Sequence, residues 1–282
     1  MHLNVVTWTV DPILLHLGSL NVGWYGLFFA LGLVVVGPYI VDKIWQKEKL
    51  PEEWFVALFY YVLIGAVVGA RLGHCLFYEP EYFLANPVEI LKIWNGGLAS
   101  HGGVLGIVIA VYFHSKRYTK RSMLWTFDRL CVPVGFAAGM IRLGNLMNHE
   151  IYGHATDLPW AFRFIENVRA WSATGVEPVF SAPSHPTQIY EALCYFLIFA
   201  ITMWMYWKRD ARKHTGLIFG VAMILIFVAR FLIEFLKNDQ VAFEADMTLN
   251  MGQWLSIPII LFGIWSVWYS FHAKKPVEKR LI

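Results

Sequence analysis

Charge is what this 282-residue chain has least of: Asp, Glu, Lys and Arg make up 15% of it, against 57% apolar and 17% aromatic residues. Soluble domains carry about 25% charged residues, so the deficit excludes an ordinary water-soluble globule. Residues 1–18 contain no Lys or Arg and therefore lack the basic start of a signal peptide; they read as a short exposed tail with an interfacial Trp8. Cysteine is scarce and odd in number. Cys75, Cys131 and Cys194 lie in or beside apolar runs, which implies buried packing rather than a disulfide framework or a catalytic thiol. No P-loop, dinucleotide fingerprint or Gly-x-Ser-x-Gly elbow occurs, nor an internal repeat or a low-complexity tract. The net charge of +3 carries no footprint for nucleic acid. The near-match His149-Glu150-Ile151-Tyr152-Gly153-His154 puts its histidines at i and i+5, whereas the zinc-protease motif needs i and i+4 on one helix face, so no metal site is expected.

What the chain does have is apolar runs. A bilayer-spanning helix needs about 20 residues of low charge, and such runs occur at 19–41, 54–71, 98–113, 123–141, 187–207, 216–236 and 251–271. Strands with open edges cannot satisfy their backbone in lipid. The expected fold is therefore an all-α integral membrane protein of about seven spans. Fifteen of the 23 basic residues fall in segments 42–53, 114–122 and 208–215 and in the tail from Lys274 to Arg280. By the positive-inside rule these face the cytoplasm, with the N-terminus outside and the C-terminus inside. One polytopic domain, 1–282, is expected, with 142–186 as a small extracytoplasmic cap between spans four and five.

Ionisable residues inside spans are costly and mark candidate sites. This topology puts Tyr25, Arg71, His101, Arg142, Gln188, Glu191, Arg230 and Glu234 toward the outer leaflet. Asp128 and Arg129 alone lie toward the cytoplasmic half, where Arg129 can snorkel to the interface. Arg230 and Glu234 are spaced for an i,i+4 pair, and Glu191 is available as an arginine's partner. Arginines in a low-dielectric cavity grip phosphate in bidentate fashion, and at the outer leaflet the abundant phosphate is a phospholipid head group. A transporter or flippase for an anionic solute or lipid is the rival reading. It calls for polar residues continuing toward the cytoplasm.

The run Arg142-Leu143-Gly144-Asn145-Leu146-Met147-Asn148-His149-Glu150-Ile151-Tyr152-Gly153 resembles the signature of the bacterial prolipoprotein diacylglyceryl transferases. The resemblance extends to His101-Gly102-Gly103, to His185 through Glu191, to Arg230 through Glu234, and to Met251-Gly252-Gln253. The chain departs from the family's usual pattern at Ile141 and His149, where glycine is usual, and at Ile226, where a tyrosine often stands. The resemblance implies transfer of the sn-1,2-diacylglyceryl group from phosphatidylglycerol to the lipobox cysteine of a preprolipoprotein signal peptide, in the bacterial inner membrane, with no cofactor. It implies His101 as general base, Arg142 and Arg230 on the phosphate, and Tyr25 as a hydrogen-bond donor. Asn145, Asn148, Glu150, Gly153, Gln188 and Glu234 would bind or position the head group.

Overall fold

The computed structural model describes residues 5–18, 20–238 and 247–272. Lys274 to Arg280, part of the topology argument, lie outside the described residues. Helices dominate, and among the described residues six are long and apolar enough to cross a membrane: Trp24–Glu48, Glu52–Phe77, Met123–Met147, Thr187–Lys208, Leu217–Glu234 and Met251–His272. The first comprises α1 (Trp24–Ala30), a π turn at Leu31–Val36, and α2 (Gly37–Glu48). The others are α3, α6, α8, α9 and α10 in the same order, with the short helices α4 (Pro80–Ala85) and α7 (Val168–Thr174) between them. The remaining expected span is α5, Ser100–His114, only 15 residues long and continued by a π turn at Ser115–Thr119. At 1.5 Å per residue, α5 reaches about 22 Å, short of a hydrocarbon core of about 30 Å without that turn.

The chain falls into two compact units, residues 1–40 with 130–282, and residues 41–129. In the second unit α3 and α5 pack through facing glycines. A side chain at Gly73 would come within 2.7 Å of Gly102 Cα, and one at Gly65 within 2.8 Å of Ala110 Cβ. With no hydrophobic force between helices in lipid, such backbone approach is what holds a helix pair. Glu52 and Glu53 follow Pro51 at the start of α3, where acidic side chains complement the helix dipole. Arg129 does not snorkel. It is buried beside Glu48 at 2.8 Å and lies 3.8 Å from the Trp125 ring centroid. Burial with a carboxylate and an aromatic face replaces the solvation that snorkelling would have supplied.

In the first unit α9 and α10 meet at Gly220 and Gly263, where a side chain would come within 3 Å of the facing carbonyl. Gly135 of α6 lies against the α8 backbone in the same way, and Thr202 Oγ1 donates to Val132 O at 2.9 Å. The cap begins after α6, so residues 142–147 of the expected 142–186 segment are helical. Its core is Ala161, Phe164 and Ile165, all fully buried. The N-terminal segment is no free tail. β1 (Val6–Thr7) pairs in parallel with β4 (Phe162–Arg163) of the cap, and β2 (Ile13–Leu17) with β3 (Leu20–Gly23) forms a hairpin ahead of α1. Trp8 is half-buried, its Nε1 donating to Leu146 O at 3.1 Å. The four strands among the described residues all lie outside the apolar helices.

Candidate functional site

The signature arginine is carried on the last turns of α6. Arg142 Nε lies 3.0 Å from Glu191 Oε2 of α8, and Nη1 donates to Asn145 Oδ1 at 3.1 Å. Asn145, one turn along, passes the connection on, its Nδ2 donating to Glu150 Oε1 at 2.8 Å. Asn148 Nδ2 donates to the same oxygen at 3.2 Å. Glu150 therefore accepts two amide bonds through one oxygen, which fixes the carboxyl in place. The arginine's side chain is 15% exposed and Glu191 is fully buried. A guanidinium has five N–H donors, so this anchoring fixes its plane and leaves donors for an oxyanion.

Glu191 is shared. Lys237 Nζ lies 3.0 Å from its Oε1 and 3.2 Å from Glu234 Oε2. The expected Arg230–Glu234 pair thus gives way to a Lys237–Glu234 pair. Gly252 leaves room for this carboxylate, since a side chain there would come within 2.8 Å of Glu234 Cδ. Arg230 is half-buried on α9 and acts electrostatically on the buried Tyr195 hydroxyl, as does Arg142. That hydroxyl donates to Glu191 Oε1 at 3.4 Å. The Tyr25 ring packs over Gly144, within 2.8 Å of where a side chain would begin, in the electrostatic range of Glu150 and Arg142.

Gln188 and Gly153, both expected at the head group, also meet the chain's own backbone, as does Thr187. Gln188 Nε2 donates to Glu150 O at 2.7 Å, and Thr187 Oγ1 to Ile151 O at 2.8 Å. Gly153 allows close approach to the chain's own Leu236 carbonyl and to Thr187 Cγ2, where a side chain would come within 2.8 Å. Both ring nitrogens of His149 are occupied: Nδ1 accepts from Ile165 N–H at 3.0 Å and Nε2 donates to Val10 O at 2.9 Å. Burial lowers the His149 pKa, against the opposing influence of the Val10 carbonyl and Asp11.

The structure thus gathers Tyr25, Arg142, Asn145, Asn148, Glu150 and Gln188 directly, with Glu234 joined through Lys237 and Arg230 through Tyr195. His101 belongs to the second unit, exposed in the first turn of α5 beside a depression lined by Gly73, Phe77, Tyr78 and Gly102. Sequence reasoning missed two members. Lys237 follows Glu234 at i+3, in a loop where the positive-inside rule disfavours lysine. Tyr195 lies one turn beyond Glu191, a hydroxyl for a site that lacks a tyrosine at position 226.

The family model for prolipoprotein diacylglyceryl transferase matches residues 12–269. A relative from Porphyromonas gingivalis named phosphatidylglycerol–prolipoprotein diacylglyceryl transferase is 52% identical, covering 98% of each chain. Relatives with the same name are 47% identical in Chloroherpeton thalassium, over 94% of each chain, and 39% in Bacteroides fragilis, over 97% of this chain and 98% of the other. With the buried arginine network built from the signature residues, these matches lead to one conclusion: the chain belongs to the prolipoprotein diacylglyceryl transferase family.

Proposed function

We propose that this multi-pass membrane enzyme transfers the sn-1,2-diacylglyceryl group of phosphatidylglycerol to the thiol of a lipobox cysteine in a preprolipoprotein. The name shared by its relatives states this donor and acceptor. A transporter or flippase finds no such support. In the reaction the cysteine sulfur, as thiolate, bonds to the glycerol carbon. The carbon–oxygen bond to phosphate breaks, glycerol phosphate leaves with the electron pair, and the thiol proton passes to a base.

The observation that carries the reading is Arg142, largely buried and held by Glu191, Asn145 and Tyr195 with donors to spare. Preorganised donors aimed at departing charge are the largest source of rate in such a step. Arg142 and Arg230 are assigned to the phosphate, and Asn145, Asn148 and Glu150 to the head group. Tyr25 supplies a hydrogen bond, and Gln188, Gly153 and Glu234 support the loop and the charge balance. His101 is assigned the thiol proton, as the resemblance to the family implies, because histidine is the side chain that most often serves as a general base. The protein is placed in the bacterial inner membrane, in seven passes with the N-terminus out and the site toward the outer leaflet; the support is the distribution of basic residues.

Purified protein with phosphatidylglycerol and a lipobox peptide should add one diacylglyceryl mass to the cysteine and release glycerol phosphate. An unmodified peptide, with other phospholipids equally inert, would overturn the assignment. His101→Gln should slow turnover about 10²–10⁴-fold, and an unchanged rate would move the base elsewhere. In spheroplasts, Asp157→Cys should react with an impermeant thiol reagent and Arg209→Cys only after permeabilisation. The reverse would invert the topology.

A further inference from the structure

Between the β2–β3 hairpin and α7 (Val168–Thr174) lies a cavity of about 460 Å³. Asn148 and Glu150 form its floor, Ile13 and His16 the hairpin wall, and Arg169 and Ser172 the helix wall. The walls are braced. Asp11 Oδ1 accepts from Ile13 N–H and from Ser172 Oγ–H, both at 2.8 Å, tying the hairpin to α7. The bond from His149 to Val10 ties the hairpin to the floor. A cap glycine, Gly175 with φ of 69°, ends α7 and turns the chain away.

Its size falls in the range of about 300–1,000 Å³ typical of ligand pockets. Its floor is two hydrogen bonds from the phosphate-assigned guanidinium, through Asn145. Its lining separates the possible occupants. Acyl chains would bury the charged Arg169 and strip water from the Glu150 carboxyl, whose amide partners Asn145 and Asn148 meet only one of its two oxygens, a heavy cost. A glycerol head group is far smaller than the space. A stretch of polypeptide, with backbone donors and acceptors and mixed side chains, matches a wall that alternates Ile13 and Val168 with His16, Asn21 and Ser172. All the lining residues lie outside the spanning helices, at 12–21 before Trp24 and at 148–173 after Met147. The occupant is therefore the part of the acceptor that leaves the bilayer.

We infer that this cavity holds the first residues on the C-terminal side of the acceptor cysteine, an assignment that rests on the transferase reading above. The cavity then sets how strongly the enzyme prefers acceptors that extend past the cysteine.

The test uses full-length enzyme in phosphatidylglycerol vesicles with two lipobox peptides, one ending at the cysteine and one extending five residues beyond it. Wild type should show a lower KM for the longer peptide. Ala173→Trp fills the cavity from an exposed position, and Arg169→Glu reverses its charge at another. Each should raise the longer peptide's KM about tenfold, the scale of one well-packed interface contact, so that the ratio of the two peptide KM values approaches one. Taking the ratio within one preparation removes any loss of folded protein. A ratio unchanged from wild type in both variants would overturn the inference, as would a rise in the lipid KM alone, which would give the cavity to the head group. Wild type that modifies neither peptide fails the transferase reading itself, a different result.

Discussion

Arg71 in the second unit and Arg142 in the first are both largely buried arginines from apolar helices, and their partners differ in kind. Arg71 donates only to backbone carbonyls: Nε to Ile90, Nη1 to Gly96 and Gly97, and Nη2 to Glu89. Those four acceptors use up most of its donors and lock the 89–97 loop beneath a ring contact with Phe83 at 4.9 Å. Arg142 is held by three side chains, Glu191, Asn145 and Tyr195, and the first two lead on to Lys237 and Glu150. An arginine saturated by carbonyls stabilises a loop. One oriented by side chains, with donors left over, is poised for an anion. Burial alone does not separate the two, whereas the identity of the acceptors does.

The sharpest way to break this comparison is to replace each arginine with lysine, which keeps the charge and loses the planar fork. Arg142→Lys should lower kcat about 10³-fold at saturating phosphatidylglycerol, the scale of losing a preorganised donor to a developing anion, with little change in the unfolding midpoint. Arg71→Lys should do the opposite, lowering the midpoint through lost loop hydrogen bonds while leaving most of kcat in the folded fraction. Kinetics alongside thermal unfolding in detergent would check both. If Arg71→Lys removed kcat without loss of stability, acceptor identity would not distinguish the two roles.

The next effect concerns the charge balance behind Arg142. Lys237 is 3% exposed between Glu191 and Glu234. Lys237→Met would leave two buried carboxylates with one fewer cation, and removing one partner of such a group costs about 3 kcal/mol. Adding Glu234→Gln should recover part of that loss, because it removes the charge that Lys237 had balanced. A double variant no more stable than Lys237→Met would show that the two residues are not coupled. A smaller loss, about 2 kcal/mol from overpacking, is expected for Gly73→Ala, whose new methyl would meet Gly102 Cα of α5 at 2.7 Å.

Much of this was legible in the sequence, and what was not has identifiable causes. The apolar runs located the helices because lipid demands about 20 such residues in a row, although α1 starts at Trp24 rather than 19 and α3 runs on to Phe77. Arg142, Asn145, Asn148 and Glu150 were readable as a unit because their bonds connect residues within one short stretch. Lys237 and Tyr195 were not: Glu234 and Glu191 stand near them in sequence, but the contacts that join them to the arginine network, Lys237 to Glu191 and Tyr195 to Arg142, cross between elements and need tertiary packing. The hairpin was missed although part of its signal was present: a glycine, Gly18, lies between apolar runs at the end of β2, and its φ of 63° suits a turn.

The smallest effect tests whether the cap and the N-terminal strap act as one body, in contrast to the helix pair of the second unit. His149 stands in αL conformation, φ 55°, at a position where the family usually has glycine. It holds two otherwise separate segments through opposite ring nitrogens, which requires the neutral tautomer with the proton on Nε2. Protonation would put a second N–H on Nδ1, facing the Ile165 N–H, and so remove one hydrogen bond, about 1 kcal/mol. Burial already lowers this histidine's pKa from the usual 6.5, while Asp11, the carboxylate acting on it, opposes the shift. Because the unfolded chain binds the proton more readily, this contribution is complete above pH 6.5 and is lost as pH falls through the depressed folded value. The unfolding midpoint of wild type should therefore drop between pH 7.5 and pH 5 by more than that of His149→Gly. The glycine variant relieves the backbone strain and, having no imidazole, has no such step. Equal pH responses in the two proteins would show that His149 does not couple strap to cap, and the bonds to Val10 and Ile165 would then be packing that the fold can do without.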